Sequence, residues 1–138
     1  MFDPVKLSKA FIDLTNCYWE KCKKEVDLMK KTKDKYGDVQ TILYKKYENG
    51  ELTFKEFKKK SNKNDAKFYN SITYKKLSQC KLDKCYDLAK QNLDGMLERL
   101  NYPIKETYNL KDYIKIIKLN QRLYVLPIYE IKKKINNN

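Results

Sequence analysis

The sequence predicts an all-α protein, a small helical bundle built on a long antiparallel helical hairpin that cysteines can staple. Three observations predict it. Apolar residues step by three or four along most of the chain, which is the spacing of a buried helix face. A hydrophobic fraction of 41% beside a charged fraction of 36% suits slender helices with narrow apolar stripes better than a thick globule. All four cysteines lie in two copies of one nine-residue phrase, "LTNCYWEKC" and "LSQCKLDKC", offset by 63 positions. At 138 residues the chain is expected to form one domain with a modest core.

Asp3 before Pro4 reads as an N-cap with proline in the first turn. Leu7, Phe11, Leu14, Tyr18, Cys22, Val26 and Met29 continue as one helix face, and this first helix is expected to fade into "KKTKDKYGD" with Gly37 as its stop. A second helix starts near Asp38 and carries Val39, Ile42, Leu43 and Tyr47, and "ENGEL" turns the chain at Asn49 and Gly50. Thr53 and Glu56 form a capping box for a short third helix with Phe54 and Phe57. "KKKSNKND" (58–65) predicts a polar loop. One long helix then runs from about Asp65 to Leu100 and ends at "NYP", because the residue before proline avoids helical angles. "NLKDYIKIIKLNQRL" (109–123) predicts a further helix. The helical domain therefore covers residues 1–123. Residues 124–138 read as an apolar arm interrupted by Pro127, followed by a frayed basic and Asn-rich tail.

The cysteine phrase sets a geometric problem. Cys17 and Cys22 are five apart, about 140° around an ideal helix, so they straddle the apolar stripe. Cys80 and Cys85 repeat this around Leu77 and Leu88. Two antiparallel helices would pair Cys17 with Cys85 and Cys22 with Cys80, whereas parallel helices would pair Cys17 with Cys80 and Cys22 with Cys85. On straight helices the splay prevents both bridges from closing without rotation or a π-bulge, which leaves one bridge and two free thiols as an alternative. Zinc bound by four thiolates is a second alternative, since four intervening residues are permitted ligand spacing. Four buried free thiols are the third.

The "CYWEKC" and "CKLDKC" segments resemble the twin Cx(n)C helical-hairpin proteins, such as the small chaperones and assembly factors of the mitochondrial intermembrane space. That resemblance implies a hairpin stapled through Cys17, Cys22, Cys80 and Cys85. Its spacing departs from the three or nine intervening residues best known in those families. The composition, with paired cysteines and no secretory signal, is similar to that of small virion proteins of large A/T-rich cytoplasmic DNA viruses. Lys, Asn, Ile and Tyr supply 63 residues, while Gly, Ala, Arg and Pro supply 11. The start lacks a signal peptide, so the protein is expected to be made in the cytoplasm, with the virion as its destination or, alternatively, the mitochondrial intermembrane space.

The net charge of +13 points to a polyanionic partner, but it is spread evenly, +6 in residues 1–69 and +7 in residues 70–138. A nucleic-acid face, if built, would use Lys58, Lys59, Lys60, Lys63, Lys67, Lys75 and Lys76. The tyrosines at 36, 44, 47, 69, 74 and 86 interleave with lysines and read either as base-stacking groups or as half-buried helix-interface residues. Trp19 reads as the wall of a second layer or as a partner contact. The chain has no histidine, no Gly-rich phosphate loop and no C-x-x-C, so no enzyme activity and no cofactor are expected. No stretch approaches a membrane span. The expected function is therefore non-enzymatic, as a small component of a larger assembly such as a virus particle, with protein partners docking on Leu126, Ile128 and Ile131. The alternative is a sequence-nonspecific nucleic-acid-binding, packaging protein.

Overall fold

The computed structural model describes residues 2–120. Five helices follow one another as α1 (Pro4–Lys21), α2 (Lys23–Glu48), α3 (Phe54–Tyr69), α4 (Ile72–Lys84) and α5 (Tyr86–Arg99), and a sixth, α6, covers 110–120. There is no strand among the described residues. The Asp3 carboxylate accepts from the N–H groups of Val5 and Lys6 and starts α1. Thr53 and Glu56 make the expected capping box, each bond 3.1 Å long. Ser71 caps α4, and Asn109 and Asp112 exchange two bonds at the start of α6. The turn after α2 places Gly50 at φ 79°, a left-handed conformation that costs glycine nothing sterically.

The first five helices form one long antiparallel hairpin. Its outgoing arm is α1 and α2, its turn is residues 49–53, and its return arm is α3, α4 and α5. Accordingly α2 packs on α3 and then on α4, while α1 packs on α5. A single register holds from end to end. Tyr47 meets Phe54, Tyr44 meets Phe57, Tyr36 meets Phe68, Cys22 meets Cys80, Cys17 meets Cys85 and Leu7 meets Gly95. The numbers in each pair add to within a few of 102, twice the position of Glu51 in the turn.

Several sequence-based boundaries are corrected. The helix does not stop at Gly37; α2 runs through it, and a Cβ there would meet only open space. One Gly in 26 residues costs about 1 kcal/mol, too little to end a helix whose other face is packed. Residues 58–65 are helical rather than a loop. Their polar residues are used inside the hairpin: Gln40 Nε2 donates to Ser61 Oγ at 2.7 Å, and Asn64 Nδ2 donates to the Tyr36 carbonyl at 3.0 Å. The single helix expected from Asp65 to Leu100 is three helices, interrupted at Asn70–Ser71 and at Cys85. The first helix is interrupted at Cys22 in the same way.

The core runs along the hairpin and thickens at its open end. There Leu14, Leu82, Ala89, Leu93 and Leu97 are joined by Tyr113, Ile114 and Ile116 of α6. The connection from α5 to α6 is pinned by polar contacts. The Tyr108 hydroxyl donates to Asp94, which also pairs with Lys90 at 2.8 Å, and the Tyr108 N–H donates to the Tyr86 hydroxyl at 3.0 Å.

Candidate functional site

The cysteine phrase is a helix–break–helix unit. Cys22 has φ −118° and ψ 34°, and Cys85 has φ −131° and ψ 37°, so in each copy the second cysteine stands between two helices. Backbone hydrogen bonding is nearly continuous across each break. The Cys22 N–H donates to the Tyr18 carbonyl and the Cys22 carbonyl accepts from Val26; the Cys85 N–H and carbonyl do the same with Lys81 and Ala89. One residue with non-helical dihedrals shifts the phase of the following helix. The second cysteine of each phrase is itself the non-helical residue, and the bonds across it keep the four-residue span of an α-helix, so the breaks contain no π-bulge.

Both antiparallel bridges are made. Cys17 joins Cys85 with Cα atoms 6.2 Å apart, and Cys22 joins Cys80 with Cα atoms 6.1 Å apart, both inside the range a disulfide spans. There is no free cysteine among the described residues. The parallel pairing, the single bridge and the four free thiols are excluded by this arrangement. A four-thiolate zinc site is excluded as well while the bridges stand. The two copies are related by an approximate twofold, because α1 faces α5 as α4 faces α2.

The surroundings of the two bridges differ. Cys22 and Cys80 sit in a small cluster with Val26 and Leu77, against Tyr18 and Met29, and Cys22 has no exposed surface. Cys85, with half-buried Cys17 against it, belongs to the main core. Between them lies Lys81, unremarked in the sequence pattern. Its ammonium stands 4.2 Å above the Tyr18 ring and donates to the Tyr113 hydroxyl at 3.1 Å. Burial pulls the Lys81 pKa down and pushes those of Tyr74 and Tyr113 up. In so lysine-rich a chain, nothing local distinguishes Lys81; its apolar neighbours come from α1 and α6.

The six tyrosines interleaved with lysines are at helix interfaces. Tyr69 and Tyr74 are buried, and Tyr36, Tyr44, Tyr47 and Tyr86 are half-buried. Tyr47 stacks on Phe57, and Tyr36 packs edge-on against Phe68. Of the seven lysines, Lys60, Lys63 and Lys67 are exposed on one side of α3 at helical spacing. Lys59 is exposed beside them, and Lys58 is half-buried. Lys75 and Lys76 are exposed on α4. Leu126, Ile128 and Ile131, and the arm that contains them, lie outside the described residues.

The outer side of α1 is apolar, and Phe11, expected on the buried stripe, is exposed there. Val5, Phe11, Ile12 and Trp19 are all exposed, Val5 at 78%. Val5, Ile12 and Trp19 are seven residues apart, so they fall on one line along the helix. Lys30 covers part of the Trp19 ring, its ammonium 4.6 Å from the ring centre. No helix among the described residues is long and apolar enough to cross a membrane. Comparison with known protein families, with characterised proteins and with solved structures finds no match to this chain.

Proposed function

We propose that the protein is a non-enzymatic structural component of a larger assembly, such as a virus particle, and that α1 is its docking face. The observation that carries this reading is the apolar line of Val5, Ile12 and Trp19, with Phe11 beside it, on a helix held by the Cys17–Cys85 bridge. A line of large apolar side chains on a cross-linked helix is a cost to an isolated protein and an asset to an interface. The test is sedimentation of the full chain from its native source. It should travel with a species far larger than its monomer. The triple variant Val5→Lys, Ile12→Lys, Phe11→Lys should keep its helical circular dichroism and sediment alone. A wild-type chain that sediments as a monomer would overturn the reading.

A second reading is sequence-nonspecific nucleic-acid binding, favoured by the exposed lysines at 59, 60, 63 and 67 on α3. Its test is retardation of duplex DNA at about 50 mM salt, lost steeply as salt rises. No retardation at micromolar protein sinks this reading.

A further inference from the structure

Among the positions at which the two cysteine phrases and their flanks differ, one bears directly on the sulfurs. Position 25 lies three residues after Cys22 and holds Glu; its counterpart 63 residues on, three after Cys85, is Leu88. Glu25 is half-buried in the first turn of α2. A carboxylate oxygen of Glu25 and the sulfurs of Cys22 and Cys80 all lie within 4.8 Å of one another. Glu25 has no hydrogen bond or ion pair among the described residues, although the chain is rich in lysine. Leu88 instead packs against the main core beside Cys85.

We propose that Cys22, Cys80 and Glu25 form a redox-gated site for a thiophilic divalent cation such as zinc. With the bridge closed the sulfurs have no thiolate to offer. A reductant supplies two electrons to the Cys22–Cys80 bond; a phosphine takes up oxygen from water, and each sulfur receives a proton. The cation then displaces both thiol protons, and two thiolates and one carboxylate supply three ligands. Water fills the remaining position of a tetrahedral ion. Two thiolates from facing arms would hold α2 against α4 where the disulfide held them, so one staple replaces the other. The Cys17–Cys85 pair has Leu88 where a third ligand is needed and binds no cation in this way. This inference does not rest on the proposed function.

The test uses the full chain as two double variants, Cys17→Ser with Cys85→Ser and Cys22→Ser with Cys80→Ser. Both are reduced with a phosphine under argon and titrated with cobalt(II) as the spectroscopic stand-in for zinc. The first should bind one equivalent with thiolate-to-cobalt absorption and a helical circular dichroism signal. Adding Glu25→Gln should weaken that binding at least tenfold, and the second double variant should bind no better than this. The oxidised wild type should give no thiolate band. Equal binding by the two double variants overturns the proposal, as does indifference to Glu25→Gln. Loss of helix on reduction that cobalt does not restore overturns it too.

Discussion

The ammonium of Lys84 donates to the carbonyl oxygen of Lys21 at 3.3 Å, and the two residues are 63 positions apart, at the same place in the two copies of the cysteine phrase. Lys21 is the last residue of α1 and Lys84 the last of α4, so a cation rests on a carbonyl left without a partner where a helix ends. Matched residues meet because the phrase sits astride an approximate twofold. The break at Cys22 and the break at Cys85 face each other across it, and a bridge lies on either side.

The bridges are nested, and their contributions to stability are not independent. A loop of 58 residues closed by Cys22–Cys80 contributes about 4 kcal/mol in the chain-entropy account. With that bridge in place, Cys17–Cys85 closes a ring of only about a dozen residues, which contributes about 3 kcal/mol. Replacing either pair by alanine should therefore lower the unfolding free energy by about 3 kcal/mol, and replacing both by about 7. Urea unfolding of the three variants measures this. A pair whose removal leaves the midpoint unmoved is not bridged.

Periodicity and spacing carried the helical class, the antiparallel sense, both bridge partners, the 49–53 turn and the capping box. They did so because each depends on local chemistry or on one register. The breaks were not legible. Cys22 keeps the stripe of Leu14, Tyr18 and Val26 in step, and nothing at that position disfavours helix strongly. Each break falls at a cysteine whose sulfur is bonded to the facing arm, a tertiary relation that local periodicity does not carry. Ser61 and Asn64 misled for the opposite reason. Such residues usually mark loops, and only the facing Gln40 and Tyr36 turn them into interior groups. The exposed α1 line and the place of Glu25 needed the assembled fold, because each is defined by what does or does not stand opposite.

Gly37 gives a test of the corrected boundary. It lies inside α2 with ordinary helical angles and free space around it. Gly37→Ala should raise stability by about 0.5–1 kcal/mol, since alanine has less conformational freedom to lose. A helix that stopped at Gly37 in a left-handed cap would instead lose stability on this change, so the sign of the shift in melting temperature decides.

Gly95 is mid-helix too, but it faces a neighbour. A Cβ there would stand 2.8 Å from Leu7 Cδ1, so this glycine lets α1 and α5 approach. Gly95→Ala should gain less than Gly37→Ala, because Leu7 must change rotamer to make room. In a Leu7→Ala background the obstruction is gone and Gly95→Ala should recover its full gain of about 1 kcal/mol. Equal effects in the two backgrounds would show that the helices are not packed through this pair.

The buried tyrosines set the alkaline limit. Burial, with Asp65 and Tyr113 adding to it, raises the Tyr69 pKa well above its ordinary value, and burial does the same to Tyr74 and Tyr113. The unfolded chain ionises its tyrosines near pH 10 while the folded chain keeps these three neutral and protonated. Above about pH 10 the folded state therefore binds more protons, and stability must fall as pH rises. Below that pH the tyrosines add no slope. Lys81 acts in the other direction. Its folded pKa is depressed, so the unfolded chain binds the extra proton and stability rises with pH up to the ordinary lysine value. Urea midpoints of the wild type should thus fall steeply above about pH 10. Tyr69→Phe removes one titrating group and no side-chain hydrogen bond among the described residues, and should make that fall shallower. A wild type and a Tyr69→Phe variant with parallel profiles from pH 9 to about 11.5 would place the Tyr69 hydroxyl in water rather than in the core.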